Sequence, residues 1–237
     1  MLDITVSLPG RKGMHRHFVE DLESLKEDLI RMSSLAEKAI AASISALLGR
    51  RADLARQVIA EDERINRMEI KIDNAVVDLL ALQQPVASDL RLILAAVKIN
   101  NDLERIGDHA VNIAESAIQY ASHTPVRVVV DLPKTAEMTQ NMLRNALDSF
   151  IHGDAHLGRR VLQDDDIIDD LNRANIAGLV DLMRKEPDAI DQALELIRVS
   201  RNLERVADLA TNIAEEVVFM AEAQVVKHNL EKNTSGA

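Results

Sequence analysis

Two carboxylates spaced four residues apart, Glu104 and Asp108, return one hundred residues later as Glu204 and Asp208. At that spacing they project side by side from one helix face, where like charges repel by a few tenths of a kcal/mol unless a cation lies between them. Carboxylate and amide oxygens suit hard or borderline ions, so magnesium, manganese and iron are the expected ligands, with zinc possible. Asn112 and Glu115, repeated as Asn212 and Glu215, offer further oxygen donors along the same stripe. Between residues 102–115 and 202–215, nine of fourteen positions are identical. The chain is therefore a duplication, and what it kept is polar.

A second pair sits upstream in each copy. Asp62 and Asn66 align with Asp165 and Asp169 at an offset of 103 residues, again four apart, so an adjacent helix could supply opposing ligands. Each set has an alternative reading. The upstream acids could complement a helix dipole, and Glu104 and Asp108 could lie on a solvated face, with Arg105 bridging Asp102 and Asp108.

The elements that must hold these residues are helices. Ile99, Leu103, Ile106, Ala110, Ile113 and Ala117 recur at alternating spacings of four and three, the mark of one packed helix side, and Val199 to Val217 repeat the pattern. Phe18, Leu22, Leu25, Leu29, Met32 and Ala36 do the same near the start, as do Ile65, Met68, Ile72, Ala75, Leu79 and Leu82 further on. Gly49, Pro85, Pro125, Pro133, Gly153 and Pro187 punctuate the chain where helices should end. Six long helices are predicted, over 14–48, 52–83, 87–121, 134–152, 154–185 and 188–228. Weaker matches extend the duplication: Ala52, Leu54, Arg56 and Val58 correspond to Ala155, Leu157, Arg159 and Val161, and Pro85 to Pro187. The expected fold is all-α, two tandem three-helix bundles at 14–121 and 134–228 with a linker at 122–133 and loose ends at 1–13 and 229–237. The Val126–Val130 run is read as linker, because an isolated extended segment has nothing to pair with.

Composition narrows the function. The 237 residues can bury a full core, and the apolar fraction is 47%. Three Phe, one Tyr and no Trp leave no base-stacking surface, and a formal charge of −11 opposes phosphate-backbone binding. Nucleic acid is not an expected partner. With no cysteine there is neither a disulfide framework nor a thiolate metal site. No apolar run reaches membrane-spanning length and no signal-peptide region is visible, so a cytoplasmic protein without direct membrane insertion is expected. His152 and His156, either side of Gly153, read as a surface pair. No catalytic triad or phosphate-cradling glycine loop can be assembled, and catalysis is not expected.

Leu103-Glu104-Arg105-Ile106-Gly107-Asp108, its echo Leu203-Glu204-Arg205-Val206-Ala207-Asp208, and Gln84-Pro85-Val86-Ala87-Ser88-Asp89-Leu90-Arg91 closely resemble the PhoU family of phosphate-signalling regulators. The resemblance covers residues 14 to 225. It implies two tandem three-helix bundles with metal ions or clusters at Glu104, Asp108, Glu204 and Asp208, and it implies homodimers. It also implies a negative regulator of phosphate uptake and of the phosphate-starvation response, acting between the phosphate ABC transporter and the sensor histidine kinase. His109 is replaced by Leu209 in the second copy and is not expected to be a general ligand. Asp89 and Arg91 lack full counterparts there, which makes them candidates for a partner contact, or Asp89 for a helix cap.

Rival readings are a metal-free helical adaptor and, more remotely, a magnesium-dependent prenyl-diphosphate enzyme suggested by Asp165-Asp166-Ile167-Ile168-Asp169. The latter lacks a second such motif and an aromatic lining. A di-iron carboxylate bundle is disfavoured because neither Glu104 nor Glu204 is followed by histidine at the third position.

Overall fold

The four-three alternation of apolar residues becomes the buried seam of each helix. Leu25, Leu29, Met32, Ala36 and Ile40 are at most 1% exposed, and Ile99, Leu103, Ile106, Ala110, Ile113 and Ala117 are completely buried, as are their counterparts from Val199 to Val217. Removing such apolar surface from water is the main stabilising term of the fold. The computed structural model describes residues 11–83, 85, 87–124 and 130–222.

Within those residues the helices are α1 (Arg11–Leu48), α2 (Ala52–Glu61), α3 (Glu63–Gln83), α4 (Ala87–Ser122), α5 (Leu132–His152), α6 (Ala155–Lys185) and α7 (Ile190–Glu222), the last entered through a short 3-10 turn at Pro187–Ala189. The all-α expectation holds. α1, α2–α3 and α4 form one three-helix bundle, α5, α6 and α7 the other, and α4 packs against α7 along the joint. Lys98 Nζ meets Glu216 Oε1 at 2.7 Å and His109 Nδ1 meets Asn202 Oδ1 at 2.8 Å, so the two helices run antiparallel.

Several details differ from expectation. The predicted 52–83 helix is divided at Asp62, whose backbone stays helical (φ −57, ψ −35) while Ile65 N bonds back only three residues, to Asp62 O at 2.8 Å. Its counterpart α6 runs unbroken through Asp165. Leu82, placed on the seam by a strict seven-residue repeat, is 71% exposed, and Val76 is buried instead. A helix of 3.6 residues per turn drifts away from that repeat. Helix α1 begins at Arg11, inside the segment expected to be loose, and α5 begins at Leu132, inside the expected linker. The remaining loose-end assignments, 1–10 and 229–237, the last stretch of the predicted 188–228 helix, 223–228, and most of the valine run, 126–129, fall outside the described residues. Val130 packs onto α6, where a Cβ on Gly178 would lie 2.7 Å from Val130 Cγ1, so that position admits only glycine without displacement.

The breakers act as capping chemistry dictates. Gly153 ends α5 in the left-handed conformation at φ 65, and Asp154 starts α6 by accepting from His156 N at 2.9 Å and Leu157 N at 3.0 Å. Arg51, at the equivalent place before α2, makes no side-chain cap. Arg50 takes the left-handed region at φ 52; its guanidinium donates to the carbonyls of Ala121 (3.3 Å) and His123 and stacks 4.8 Å from the Tyr120 ring. It thereby ties the α1–α2 turn to the exit of α4.

Candidate metal centres

In the second bundle, adjacent faces of α6 and α7 bring four sequence-predicted acids together. Oxygen atoms of Asp169, Glu204 and Asp208 lie within 4.8 Å of one another, the single such group among the described residues. Asp165 completes it: burial, with the charges of Asp208 and Asp169 behind it, pushes the Asp165 carboxyl up to about 6. Its Oδ1 is buried and has no hydrogen-bond partner. Glu204 is raised for the same reasons, burial first and Asp208 second. Arg205 relieves part of the repulsion, with Nη1 at 2.8 Å from Asp208 Oδ2 and Nε at 3.6 Å from Glu204 Oε2. Four acids against Arg205 and the exposed Arg173, 4.0 Å from Asp169 Oδ2, still leave negative charge uncompensated, and an orphaned oxygen beside convergent carboxylates fits a hard cation.

Asp165 lies ten residues inside α6, so the helix-dipole explanation does not apply to it. The dipole acts only within the first turn.

The first bundle repeats the arrangement with different balance. Asp62 and Asn66 face Glu104 and Asp108 across the α3–α4 contact; Asn66 Nδ2 donates to Asp62 Oδ2 at 3.1 Å, and Asn66 Oδ1 is buried without a partner. Burial and then Asp108 raise Glu104, with Glu69 third. Glu69 is thus an acid whose charge acts on this cluster and that sequence reasoning missed. Its signal was present, seven residues after Asp62 and three after Asn66 on one stripe, but its copy is Asn172, which accepts from Ser200 Oγ at 2.8 Å. The duplication therefore did not mark it. Gly107 lets α4 approach: a Cβ there would stand 3.0 Å from Ile65 Cδ1 and 3.1 Å from Asp62 Oδ1, whereas the second copy carries Ala207. Arg105 pairs with Asp102 at 3.7 Å; the expected bridge to Asp108 is absent among the described ion pairs, although Arg205 makes it in the second copy.

Other candidate residues lie elsewhere. Asn212 and Glu215 line a cleft between α4 and α7 with Asp102, away from the Glu204–Asp208 cluster. Glu115 is exposed and seven residues, roughly 10 Å, along the axis beyond Asp108, with Asn112 partway between. The four-residue step from Asp108 turns Asn112 about 40° further around the helix, whereas Glu115 returns nearly in line with Asp108 and is separated from it by the axial distance alone. In the cleft, burial raises Asp102 to about 6 despite Arg105 and a hydrogen bond with Asn212. His109, its imidazole held below its ordinary range by burial, links the bundles through Asn202. Asp89 sits in the first turn of α4 and accepts from Ser88 Oγ at 3.3 Å; Arg91 is partly buried, with its Nε unpartnered. Both lie at the opposite end of α4 from Asn112 and Glu115. The His152 ring bonds to the Asp148 carbonyl at 2.8 Å. No described helix is long and apolar enough to cross a membrane.

Comparison with known proteins agrees with this architecture. The PhoU domain matches twice, over residues 29–117 and 132–217, one match per bundle. The phosphate-specific transport system accessory protein PhoU homolog of Pseudomonas putida is 39% identical over 214 residues, covering 90% of this chain and 84% of the relative. The accessory protein PhoU of Escherichia coli K12 is 31% identical over 222 residues, 94% of this chain and 92% of its own. Neither is named as an enzyme. The crystal structure of PhoU from Pseudomonas aeruginosa superposes with a TM-score of 0.85 at 38% identity, covering 87% of this chain and all of that one. That of the phosphate transport system regulatory protein PhoU from Streptococcus pneumoniae gives 0.82 at 26% identity, covering 89% of this chain and all of its own. Both bundles are matched and the relatives are spanned over most of their length: the chain belongs to the PhoU domain family.

Proposed function

We propose that this chain is an accessory regulator of phosphate-specific transport: a cytoplasmic, homodimeric, metal-binding adaptor that restrains phosphate uptake and the starvation response by linking the phosphate ABC transporter to a sensor histidine kinase. Family membership and the relatives' names support the transport role. The observation that carries the metal reading is the convergence of Asp169, Glu204 and Asp208 beside the orphaned Asp165 oxygen. Magnesium, manganese, iron or zinc held there would neutralise the acids and fasten α6 to α7; Asp62, Glu69, Glu104 and Asp108 would fasten α3 to α4 in the same way. Bound metal thus works as a structural clamp. The Asp165-Asp166-x-x-Asp169 motif belongs to this clamp, facing Glu204 and Asp208, and no diphosphate chemistry is assigned to it.

Deleting the gene should switch on phosphate-starvation genes in phosphate-rich medium, and an unchanged response would refute the regulatory role. Elemental analysis of protein purified without chelator tests the metal. The position of Arg205 on Glu204 and Asp208 favours a second reading, a metal-free adaptor with internally balanced acids. Metal-free protein of full regulatory activity would establish it. Asp89 and Arg91 are proposed as part of the partner surface. Asp89→Ala and Arg91→Ala should weaken binding to the purified cytoplasmic kinase fragment with melting unchanged, whereas a stability loss at constant affinity would leave Asp89 a cap.

A further inference from the structure

On a chain of formal charge −11, one groove is lined by cations alone among its charged residues. It lies between α1 and α3, holds about 740 Å³, and carries Arg31 and Lys38 on one wall and Arg64, Arg67 and Lys71 on the other. The walls run antiparallel, since Lys71 Nζ reaches Asp28 Oδ1 at 2.7 Å while Lys38 and Arg64 share the next stretch of groove. Arg31 and Arg67 are held by exposed, exchangeable pairs with Glu27 and Glu63, at 3.4 and 3.5 Å. Lys38 and Arg64, both exposed, have no ion pair or hydrogen bond among the described residues.

The floor is apolar. Leu35 and Met68 are only partly buried between the rows of charge; beyond Lys38 and Arg64 the floor passes into an adjoining hollow of about 210 Å³ where Glu61 and Asp62 join the lining, so the cation-only stretch ends there. From Arg31 to Lys38 the cation-lined groove follows α1 for about 10 Å, or two helical turns. Small polyanions are recognised by compact convergent donors; two cationic rails flanking an apolar floor of this length instead match an amphipathic helix that has carboxylates beside an aliphatic stripe. We infer that the α1–α3 groove is the docking site for an acidic amphipathic helix of a partner protein. Seated there, the partner helix covers Leu35 and Met68 and gives Lys38 and Arg64 their counter-charges. This inference requires no bound metal, although the groove ends where Asp62 of the first cluster enters the lining.

The probe is a fluorescein-labelled 18-residue helical peptide with leucines at three- and four-residue spacing and glutamates flanking them, titrated into the full chain by anisotropy. Binding should weaken at least tenfold in Lys38→Glu/Arg64→Glu and fall steeply with salt, while the melting temperature of the variant stays that of the parent. A composition-matched peptide with dispersed leucines should bind at least tenfold more weakly. The inference is overturned if the amphipathic peptide does not bind, if the double variant binds it equally well, or if the dispersed peptide or linear polyphosphate binds as tightly. The last outcome would make the groove a general polyanion site.

Discussion

Asn66 and Asp169 occupy equivalent positions in the two clusters, and the exchange of an amide for a carboxylate changes how each cluster is balanced. In the first bundle Asn66 donates to Asp62, Glu69 supplies the additional acid, and Arg105 turns away to Asp102. In the second, Asp169 joins Glu204 and Asp208 within 4.8 Å, and Arg205 turns in to meet the excess charge. One repeat disperses its acids and the other concentrates them. The lesson is that duplication preserves the ligand-bearing helix face while the neighbouring helix sets how strongly it demands a cation.

The largest expected effects ask whether the bundles are equivalent as scaffolds. Leu103 and Leu203 are both fully buried, so each leucine-to-alanine change should destabilise by about 2–5 kcal/mol in denaturant unfolding. A much smaller cost at one would show that bundle to be loosely packed. Next come the clusters. Glu104→Gln with Asp108→Asn and Glu204→Gln with Asp208→Asn should each remove about half of the bound metal, and the four together nearly all, as read by elemental analysis. Chelator titration should empty the first bundle before the second. Exchanging the two positions, Asn66→Asp with Asp169→Asn, should invert that order with about tenfold shifts in affinity.

Without metal, Asp165 should make stability depend on pH. Its folded value, about 6, lies above the ordinary aspartate value of 3.8, so between those values the native state binds more protons than the unfolded one. Stability of the chelated protein should therefore fall as pH rises from about 4 through 6, by on the order of 1 kcal/mol after discounting for solvent screening. Asp165→Asn should reduce that slope in melts from pH 4.5 to 7, leaving the share contributed by Asp102. The smallest effect concerns the caps. Asp154→Ala should lower the melting temperature by about 2–4 °C, while Arg51→Asp, installing the missing cap on α2, should raise it by a similar amount.

Much of this was readable in the chain. The seams of α4 and α7 appear in full, because a buried stripe repeated twice constrains the helix face unambiguously, and the matched four-residue spacings pair Asp165 and Asp169 with Glu204 and Asp208. What escaped has identifiable causes. Glu69 diverged between copies, so the repeat gave no weight to it. Asn212 and Glu215 share a stripe with Asp208 on paper, but Asn212 is turned about 40° from Asp208 and Glu215, nearly in line with it, lies about 10 Å further along the axis, where both line the α4–α7 cleft. The division at Asp62 leaves the backbone dihedrals helical, and no proline or glycine marks it.

The antiparallel meeting of α4 and α7 also carries history. Equivalent helices packed antiparallel have the geometry of a two-fold dimer, in which every cross-contact occurs twice. Fusion of two copies into one chain turns that outer surface into interior and releases its contacts from reciprocity. The mate of the Lys98–Glu216 pair would join Arg198 to residue 116, but Arg198 has turned to Glu195, and residue 116 is a serine whose buried hydroxyl has no partner. His109 likewise meets Asn202, while Leu209 stands where a second histidine would be. Each surviving cross-link now exists once, and the ancestral symmetry persists in the backbone while the side chains have acquired direction.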